Sequence, residues 1–347
     1  MLSRGGGREE ARAPRRRRVG VNPGGLGFGL IGMGRHGSRY ARHLVEGIPG
    51  CRLTAVSRRD VAAGQAFADR HGVAFVGDWR DLIRRPDVTA VVVVVPPALN
   101  REVCLAAAQA GKSLLIEKPL ALTAAEALEM VRAARSAGIQ LMTAQTLRFT
   151  PVLCRLRERL PLVGALDYLT LTMRAERPPH RWLDDPAQAG GGVLIEIGIH
   201  LLDLIRYLTG EEAVEVFAEL ARRHTRRVED MAWARILLAS GVRCLLEVSR
   251  VSGGRLVRVE AVGQTGQLIA EVDRSVLSRI EGRSLVETDA VPDRPTIVTV
   301  LEEFARSLST GTPVPVSGED GLRAVAMAES CYRSAREARP VPVTLPS

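Results

Sequence analysis

The stretch Gly27-Phe-Gly-Leu-Ile-Gly32-Met-Gly34-Arg-His-Gly37 decides the fold of the N-terminal part of this 347-residue chain. A short apolar run leads into a G-x-G-x-x-G pattern, and a helix-compatible segment follows. This is the strand, turn and helix order of a dinucleotide-binding loop. Gly32 allows the tight turn, Gly34 lets the backbone approach a pyrophosphate, and Gly37 allows the helix to pack closely on the strand. The alternative is a glycine-rich turn that binds no ligand.

Strand-like and helix-like segments alternate from Leu26 to about Ala144. The run Ala90–Val95 is apolar on both faces, as expected for a central parallel strand that helices cover on each side. We therefore predict an α/β fold, a doubly wound parallel Rossmann sheet, over residues 25–146. The predicted strands are Gly27–Ile31, Leu53–Val56, Val73–Val76, Thr89–Val95, Ser113–Ile116 and Ile139–Thr143. The predicted helices are Arg35–Glu46, Val61–Arg70, Trp79–Arg84, Leu99–Ala110 and Ala124–Ala137.

The pattern changes after Gln145, where successive hairpin signals replace the alternation. Turns such as Ala239-Ser-Gly241 and Gly263-Gln-Thr-Gly266 separate alternating apolar runs, which is typical of antiparallel strands. Residues 147–347 are therefore predicted to form a second, α+β domain with a largely antiparallel sheet. Its predicted strands are Leu166–Met173, Val214–Leu220, Met231–Leu238, Val242–Val248, Leu256–Val262 and Leu268–Val272. Its predicted helices are Val152–Leu160, one ending before Gly210, Thr296–Leu308 and Gly321–Ala338.

Most of the net charge of +9 belongs to an N-terminal arm, residues 1–24, and not to a folded surface. This arm has no aromatic residue to stack on bases, so nucleic-acid binding is not expected. Five scattered cysteines without a C-x-x-C pattern are typical of reduced thiols in a cytoplasmic protein. No apolar run approaches the roughly 20 residues of a membrane span, so no membrane partner is expected.

Ligands of doubly wound sheets bind at the carboxyl ends of the strands. Four such ends carry candidate residues that we expect to meet in one crevice: Gly32–Gly37 with Arg35 and His36, Ser57-Arg58-Arg59, Pro96-Pro97 and Glu117-Lys118-Pro119. The second end offers a hydroxyl and two arginines instead of a carboxylate. A carboxylate holds the ribose 2′-hydroxyl of NAD, whereas hydroxyl and arginine side chains suit a 2′-phosphate. The pattern favours NADP, and Asp60 just beyond keeps NAD possible.

Lysine is rare in this chain, because only Lys112 and Lys118 occur among 48 basic side chains. Arginine stays protonated, so a lysine at a strand end indicates a place where proton exchange matters.

A second candidate cluster precedes Gly210. If a helix already runs through Glu196, then Glu196 and His200 are i and i+4 neighbours on one face, and Asp203 lies one turn further on. Such a cluster gives a proton-transferring imidazole with carboxylates able to orient it. The alternative is a structural histidine. A metal site is not expected, because a third ligand at recognisable spacing is missing.

Together these segments resemble the Gfo/Idh/MocA oxidoreductase family, named for glucose-fructose oxidoreductase and inositol dehydrogenase. The motifs are Gly32-x-Gly34-x-x-Gly37, Pro96-Pro97, Glu117-Lys118-Pro119 and Gly190-Gly-Gly…Glu196-x-Gly198-x-His200-x-x-Asp203. The resemblance implies a Rossmann domain, a C-terminal domain on an open sheet that commonly mediates oligomerisation, and NAD(P)-linked chemistry on sugars or cyclic polyols.

The resemblance also implies roles for individual residues. Lys118 matches the catalytic lysine of the family and His200 its catalytic histidine, while Glu117 would contact the nicotinamide ribose. Glu196 stands where many members carry aspartate, which leaves its part in the proton relay open. Asn100, where a histidine is frequent, is a further candidate cofactor contact. Asp203 is a weaker candidate for contact with the substrate. Arg148, Arg181 and Trp182 are weaker candidates for contact with the substrate or the cofactor, and plain structural roles are the alternative for these three.

The sequence therefore predicts a cytoplasmic, homo-oligomeric (dimer or tetramer) NAD(P)-dependent dehydrogenase or reductase that prefers NADP. It would transfer hydride between the nicotinamide and a secondary alcohol or ketone of a sugar-like substrate, with Lys118, His200 and Glu196 at the catalytic centre. Two alternatives stay open: a redox-neutral, glycosidase-type enzyme of the same family, and a non-enzymatic regulator that responds to a dinucleotide.

Overall fold

The computed structural model describes residues 25–177 and 181–346, so the arginine-rich arm lies outside the described residues. The first sheet has six parallel strands in the order β3-β2-β1-β4-β5-β6. These strands are β1 (Leu26–Ile31), β2 (Cys51–Ser57), β3 (Ala74–Phe75), β4 (Ala90–Val93), β5 (Ser113–Glu117) and β6 (Leu141–Ala144). The helices that connect them are α1 (Gly37–Glu46), α2 (Val61–His71), α3 (Trp79–Arg84), α4 (Asn100–Gln109) and α5 (Ala124–Ser136). The predicted Rossmann sheet is confirmed.

The second sheet has nine strands in the order β14-β13-β12-β11-β7-β10-β9-β8-β15. Its pairs are antiparallel except for β7 with β10, which run parallel. The strands are β7 (Leu166–Arg174), β8 (Ala213–Ala221), β9 (Met231–Leu238), β10 (Arg243–Ser249), β11 (Leu256–Gly263), β12 (Gly266–Glu271), β13 (Val276–Glu281), β14 (Ser284–Ala290) and β15 (Val341–Pro342). The prediction of a largely antiparallel C-terminal sheet is confirmed.

Five further helices complete the described chain: α6 (Pro151–Arg159), α7 (Pro186–Ala189), α8 (Ile199–Thr209), α9 (Thr296–Thr310) and α10 (Gly318–Glu337). α8 and α10 carry apolar faces that pack against the second sheet and each other. α9 instead packs on the first sheet, where the rings of Phe304 and Phe28 lie 5.7 Å apart. The chain therefore returns, after the second sheet, to cover the Rossmann sheet with α9.

Sequence patterns missed the hairpin β13–β14 and the short strand β15. The hairpin lies at the sheet edge, and most of its side chains are exposed or half-buried. A strand with both faces partly in water does not need the apolar alternation that identifies half-buried strands.

None of the helices in residues 25–177 and 181–346 is long and apolar enough to span a bilayer. The five cysteines are free, and burial raises the pKa of Cys104, Cys244 and Cys331 to about 12. These thiols are therefore protonated and inert at neutral pH.

Candidate active site

The glycine loop after β1 has the geometry of a phosphate cradle. Gly32 has φ +91°, and a Cβ there would lie 2.2 Å from the carbonyl oxygen of Val94. A Cβ at Gly37, the first residue of α1, would lie 2.0 Å from the Gly32 oxygen, whereas one at Gly34 would meet no atom within 4 Å. The backbone at Gly34 thus faces open space at the N-terminus of a ten-residue helix. These residues fit a bound dinucleotide pyrophosphate.

The end of β2 carries the residues predicted to read the ribose. Ser57 is buried, and its carbonyl oxygen accepts from the Gly32 N–H at 2.9 Å. Asp60 caps α2, with Oδ1 accepting from the Ala63 N–H at 3.0 Å and Oδ2 lying 3.5 Å from Arg58. One oxygen of the Asp60 carboxylate is therefore already used by the helix.

The loop after β5 brings Glu117 and Lys118 to the same edge of the sheet. The Lys118–Pro119 peptide bond is cis. Asn100, at the start of α4, is 1% exposed, and its Nδ2 donates to the carbonyl oxygens of Pro119 at 3.0 Å and Leu120 at 3.2 Å. Asn100 thus holds this loop in place, and its predicted contact with the cofactor stays a prediction.

Glu117 is a buried carboxylate that links three parts of the loop region. Its Oε1 accepts from His36 at 2.8 Å and from the Tyr40 hydroxyl at 2.6 Å, and Oε2 accepts from the Lys118 N–H at 3.1 Å. Burial raises the pKa of Glu117, but His36, Lys118 and Tyr40 outweigh burial and lower it to about 2. Glu117 therefore stays ionised and ties the glycine loop to the catalytic lysine candidate. Tyr40 was not singled out from the sequence.

The second domain supplies its candidate residues from one irregular helical turn. Leu194–Gly198 is a π-turn that leads into α8. Glu229 anchors the start of this turn, because its carboxylate accepts from the N–H groups of Gly192 and Leu194 at 3.1 Å and from the Tyr332 hydroxyl at 2.8 Å. π-turns are frequent at functional sites. Glu229 has no sequence signal of its own, since its partners lie more than 30 residues away.

The two domains meet where Lys118 Nζ donates to the Glu196 carbonyl oxygen at 2.6 Å. The sequence predicted that the Glu196 carboxylate orients His200. In the structure this carboxylate instead forms a two-point ion pair with Arg250, just after β10. The π-turn explains this difference, because its wider turn prevents residues i and i+4 from lying on the same face of the helix. Gly198 allows close packing at this turn, since a Cβ there would lie 3.1 Å from Val248 of β10.

His200 is 7% exposed, and its Nδ1 lies 3.0 Å from Oε1 of Gln145, the residue that follows β6. Burial, Lys118 and His36 lower the pKa of His200 well below 6.5, and Glu117 opposes them. The imidazole is thus neutral at physiological pH. Gln145 was not predicted, although the rule that parallel strand ends converge could have identified it.

The weaker substrate candidates Arg148 and Asp203 bind each other instead. Arg148 Nε and Nη2 donate to the two Asp203 oxygens at 2.7 and 2.6 Å, and Nη2 also lies 3.1 Å from Asp320. The Arg148 side chain is 10% exposed and that of Asp203 is 1% exposed, so this bidentate pair stabilises the fold, and their predicted contact with the substrate stays a prediction. Trp182 lies half-buried in a short 3₁₀ turn and stays a prediction. The side chain of Arg181 lies outside the described part of the chain.

A cavity of about 670 Å³ lies next to the π-turn but away from the catalytic candidates. Ile195, Glu229 and Tyr332 contribute to its wall, whereas Lys118 and His200 do not. The titratable candidates Glu117, Lys118 and His200 thus lie near one another at the strand ends and not in this cavity.

The same two-part organisation is found in known proteins. Residues 26–145 match the oxidoreductase family with an NAD-binding Rossmann fold, and residues 162–269 match the GFO/IDH/MocA C-terminal domain. The chain belongs to the Gfo/Idh/MocA oxidoreductase family. This assignment confirms the predicted fold and the prediction of an NAD(P)-linked dehydrogenase acting on CH–OH groups.

Similar members of the Gfo/Idh/MocA family cover nearly the whole chain. Inositol 2-dehydrogenase 1 of Saccharopolyspora erythraea is 30% identical over 91% of this chain and 96% of its own length. Inositol 2-dehydrogenase of Rhizobium meliloti is 28% identical over 91% and 98%. Among solved structures, aldose-aldose oxidoreductase from Caulobacter crescentus, complexed with glycerol, has a TM-score of 0.84 and 26% identity over 92% of this chain and 99% of its own.

Proposed function

We propose that the chain is an NADP-preferring dehydrogenase or reductase. It transfers hydride between the nicotinamide and a secondary alcohol or ketone of a sugar or cyclic polyol, and Lys118 and His200 handle the proton. The 2.6 Å bond from Lys118 Nζ to the Glu196 carbonyl oxygen carries this proposal. It brings one of two lysines in the chain to the turn that leads into His200.

The protein supplies charge stabilisation and a base. When bound, the nicotinamide accepts the hydride from the substrate carbon, or donates it in the reverse direction. The Lys118 ammonium has three donors and spends one on the Glu196 carbonyl, so it keeps donors for a developing alkoxide. His200 is neutral, and its Nε2 accepts the hydroxyl proton. A neutral buried imidazole suits alcohol oxidation at neutral pH.

The end of β2 supports the preference for NADP. Arg58 and Arg59 stand where NAD-selective loops place a carboxylate, and guanidinium groups bind a 2′-phosphate well. Asp60, the residue that would favour NAD, is committed to the α2 N-cap. Glu117 keeps one oxygen, Oε2, with a single backbone donor, which supports the predicted contact with the nicotinamide ribose.

Substrate class rests on the relatives. The similar proteins are named as inositol dehydrogenases and an aldose-aldose oxidoreductase, which supports a polyhydroxylated ring or chain as substrate.

The second sheet supports the predicted homo-oligomer. Tyr168, Trp233 and Leu245 are exposed on neighbouring strands, with their side chains on one face of the sheet. Exposed apolar patches of this kind mark interfaces. Size-exclusion chromatography with light scattering should give a dimer or tetramer for the wild type, and Leu245→Arg should lower that mass. A monomeric wild type would contradict the proposal.

The decisive experiment follows reduced-nicotinamide absorbance with purified protein, NADP or NAD, and a panel of aldoses, inositols and amino sugars. We expect the signal to grow faster with NADP than with NAD, and only with sugar-like substrates. Product formation without net reduction of the cofactor would favour the redox-neutral alternative. Tight dinucleotide binding with no product from any substrate would contradict the dehydrogenase proposal.

A further inference from the structure

The group that orients His200 comes from the other domain. Gln145 follows β6 of the first sheet, whereas His200 lies in α8. The bond between Nδ1 and Oε1 is 3.0 Å long, and both side chains are buried, at 7% exposure for His200 and 1% for Gln145. Because Oε1 can only accept, the ring nitrogen that faces it carries the proton. Nε2 of the ring is then the unprotonated nitrogen.

The carboxylates that the sequence offers for this task are engaged elsewhere. Arg250 holds both oxygens of Glu196, and Arg148 holds both oxygens of Asp203. Among the described residues, Nε2 of Gln145 has no acceptor, so the side chain of Gln145 is held through its bond to His200. The imidazole therefore has an amide partner where a carboxylate was expected.

An amide and a carboxylate have different effects on an imidazole. A carboxylate stabilises the imidazolium by charge, whereas an amide fixes the tautomer without adding charge. The charged groups that face His200 are Lys118, Glu117 and His36. Burial, Lys118 and His36 act against the imidazolium and lower the pKa of His200. The amide adds no charge to offset them.

We propose that Gln145 is the positioning residue of the catalytic centre. It holds the proton of His200 on Nδ1 and keeps the ring uncharged, so that Nε2 is ready to take the substrate proton. The Glu196–Arg250 pair completes this arrangement by keeping the Glu196 carboxylate away from the ring. The part of this inference that concerns proton transfer rests on the proposed function, whereas the tautomer does not.

The test compares wild type, Gln145→Glu and Gln145→Met by two measurements. Imidazole ¹⁵N chemical shifts, assigned with His200→Gln, report the tautomer and charge of the ring. The pH profile of kcat/KM for alcohol oxidation reports the base. Gln109→Glu, at the exposed end of α4, makes the same change of charge far from the site and serves as the matched control.

We expect wild type to show a neutral ring protonated on Nδ1 at pH 7. Gln145→Glu should move the acid limb of the profile up by about 1–3 pH units, as an adjacent carboxylate does. Gln145→Met should mix the two tautomers and lower kcat more than it changes KM. Gln109→Glu should leave both measurements unchanged.

A wild-type ring protonated on Nε2, or unchanged shifts in Gln145→Glu, would overturn the proposal. The remaining outcome separates the two ideas. If the ¹⁵N shifts change as expected while the pH profile does not move, Gln145 positions the ring, but His200 is not the base of the proposed function. Bound NADP, measured by fluorescence titration, verifies that each variant is folded.

Discussion

The candidate active site lies between two walls that differ in charge. The charged wall surrounds Glu117 in the Rossmann domain, and the neutral wall surrounds His200 in the C-terminal domain. In the charged wall, His36, the charge of Lys118 and the Tyr40 hydroxyl outweigh burial and lower the pKa of Glu117 to about 2. In the neutral wall, burial and the charge of Lys118 lower the pKa of His200, and its hydrogen-bond partner Gln145 is uncharged. In the proposed function this difference separates two tasks: fixed charge lies in the Rossmann domain, and the neutral base lies in the C-terminal domain.

Removal of the Lys118 charge has the largest expected effect on catalysis. Lys118→Ala should lower kcat/KM by about 10²–10⁴-fold, because a positioned acid–base group contributes on that scale. Lys112→Ala is the matched control. Lys112 Nζ donates to the carbonyl oxygens of Arg85 at 3.1 Å and Val88 at 2.6 Å, so its loss should affect stability and leave turnover intact. Steady-state rates with NADP measure both. Equal losses of turnover in the two variants would show that Lys118 is only structural.

The ionisation of Glu117 can be measured through the pH dependence of the free energy of unfolding. Its folded pKa of about 2 lies below the ordinary 4.5, so the unfolded chain binds more protons between these values. The stabilisation of about 3 kcal/mol is then fully present above pH 4.5 and is lost as the pH falls toward 2.

Urea unfolding at pH 6, 5, 4 and 3 tests this expectation. The free energy of unfolding of wild type should fall with pH more steeply than that of Glu117→Gln, which has no proton to gain at this position. Parallel curves would mean that Glu117 is not held ionised by its neighbours.

The charged wall should also select the cofactor. The double variant Arg58→Gln/Arg59→Gln should lower the ratio of kcat/KM for NADP to that for NAD by roughly tenfold or more, the scale of one lost charge-assisted hydrogen bond. Arg52→Gln, at the opposite end of β2, is the control and should leave the ratio unchanged. An unaltered ratio in the double variant would remove the support for NADP preference.

The sequence predicted the charged wall better than the neutral one, and the reason is physical. Local rules fix the first wall: Gly32, Gly34 and Gly37 are required by one turn, and parallel strand ends must converge at one edge. Glu117 and Lys118 could thus be placed beside the glycine loop without a structure.

The neutral wall depends on partners that are distant in the chain. Glu196 and His200 are four residues apart, yet a π-turn and an ion pair with Arg250, 54 residues away, direct the carboxylate elsewhere. Gln145 reaches His200 across 55 residues. The periodicity of the sequence carries no information about such pairs. It therefore predicted that Glu196 and Asp203 orient His200, whereas in the structure Gln145 contacts the ring.

The smallest expected effect tests the packing that holds the neutral wall. A Cβ at Gly198 would lie 3.1 Å from Val248 Cγ1 and 3.3 Å from Leu194 Cδ1, so Gly198→Ala should lower the free energy of unfolding by about 1 kcal/mol through crowding. In a Val248→Ala background the nearer of the two crowding atoms is gone, and alanine is favoured over glycine in a helix by about 1 kcal/mol. The same substitution should then be neutral or stabilising. Urea midpoints of the four proteins in this cycle give the coupling. An identical penalty in both backgrounds would mean that β10 does not select the glycine, and that the π-turn itself requires it.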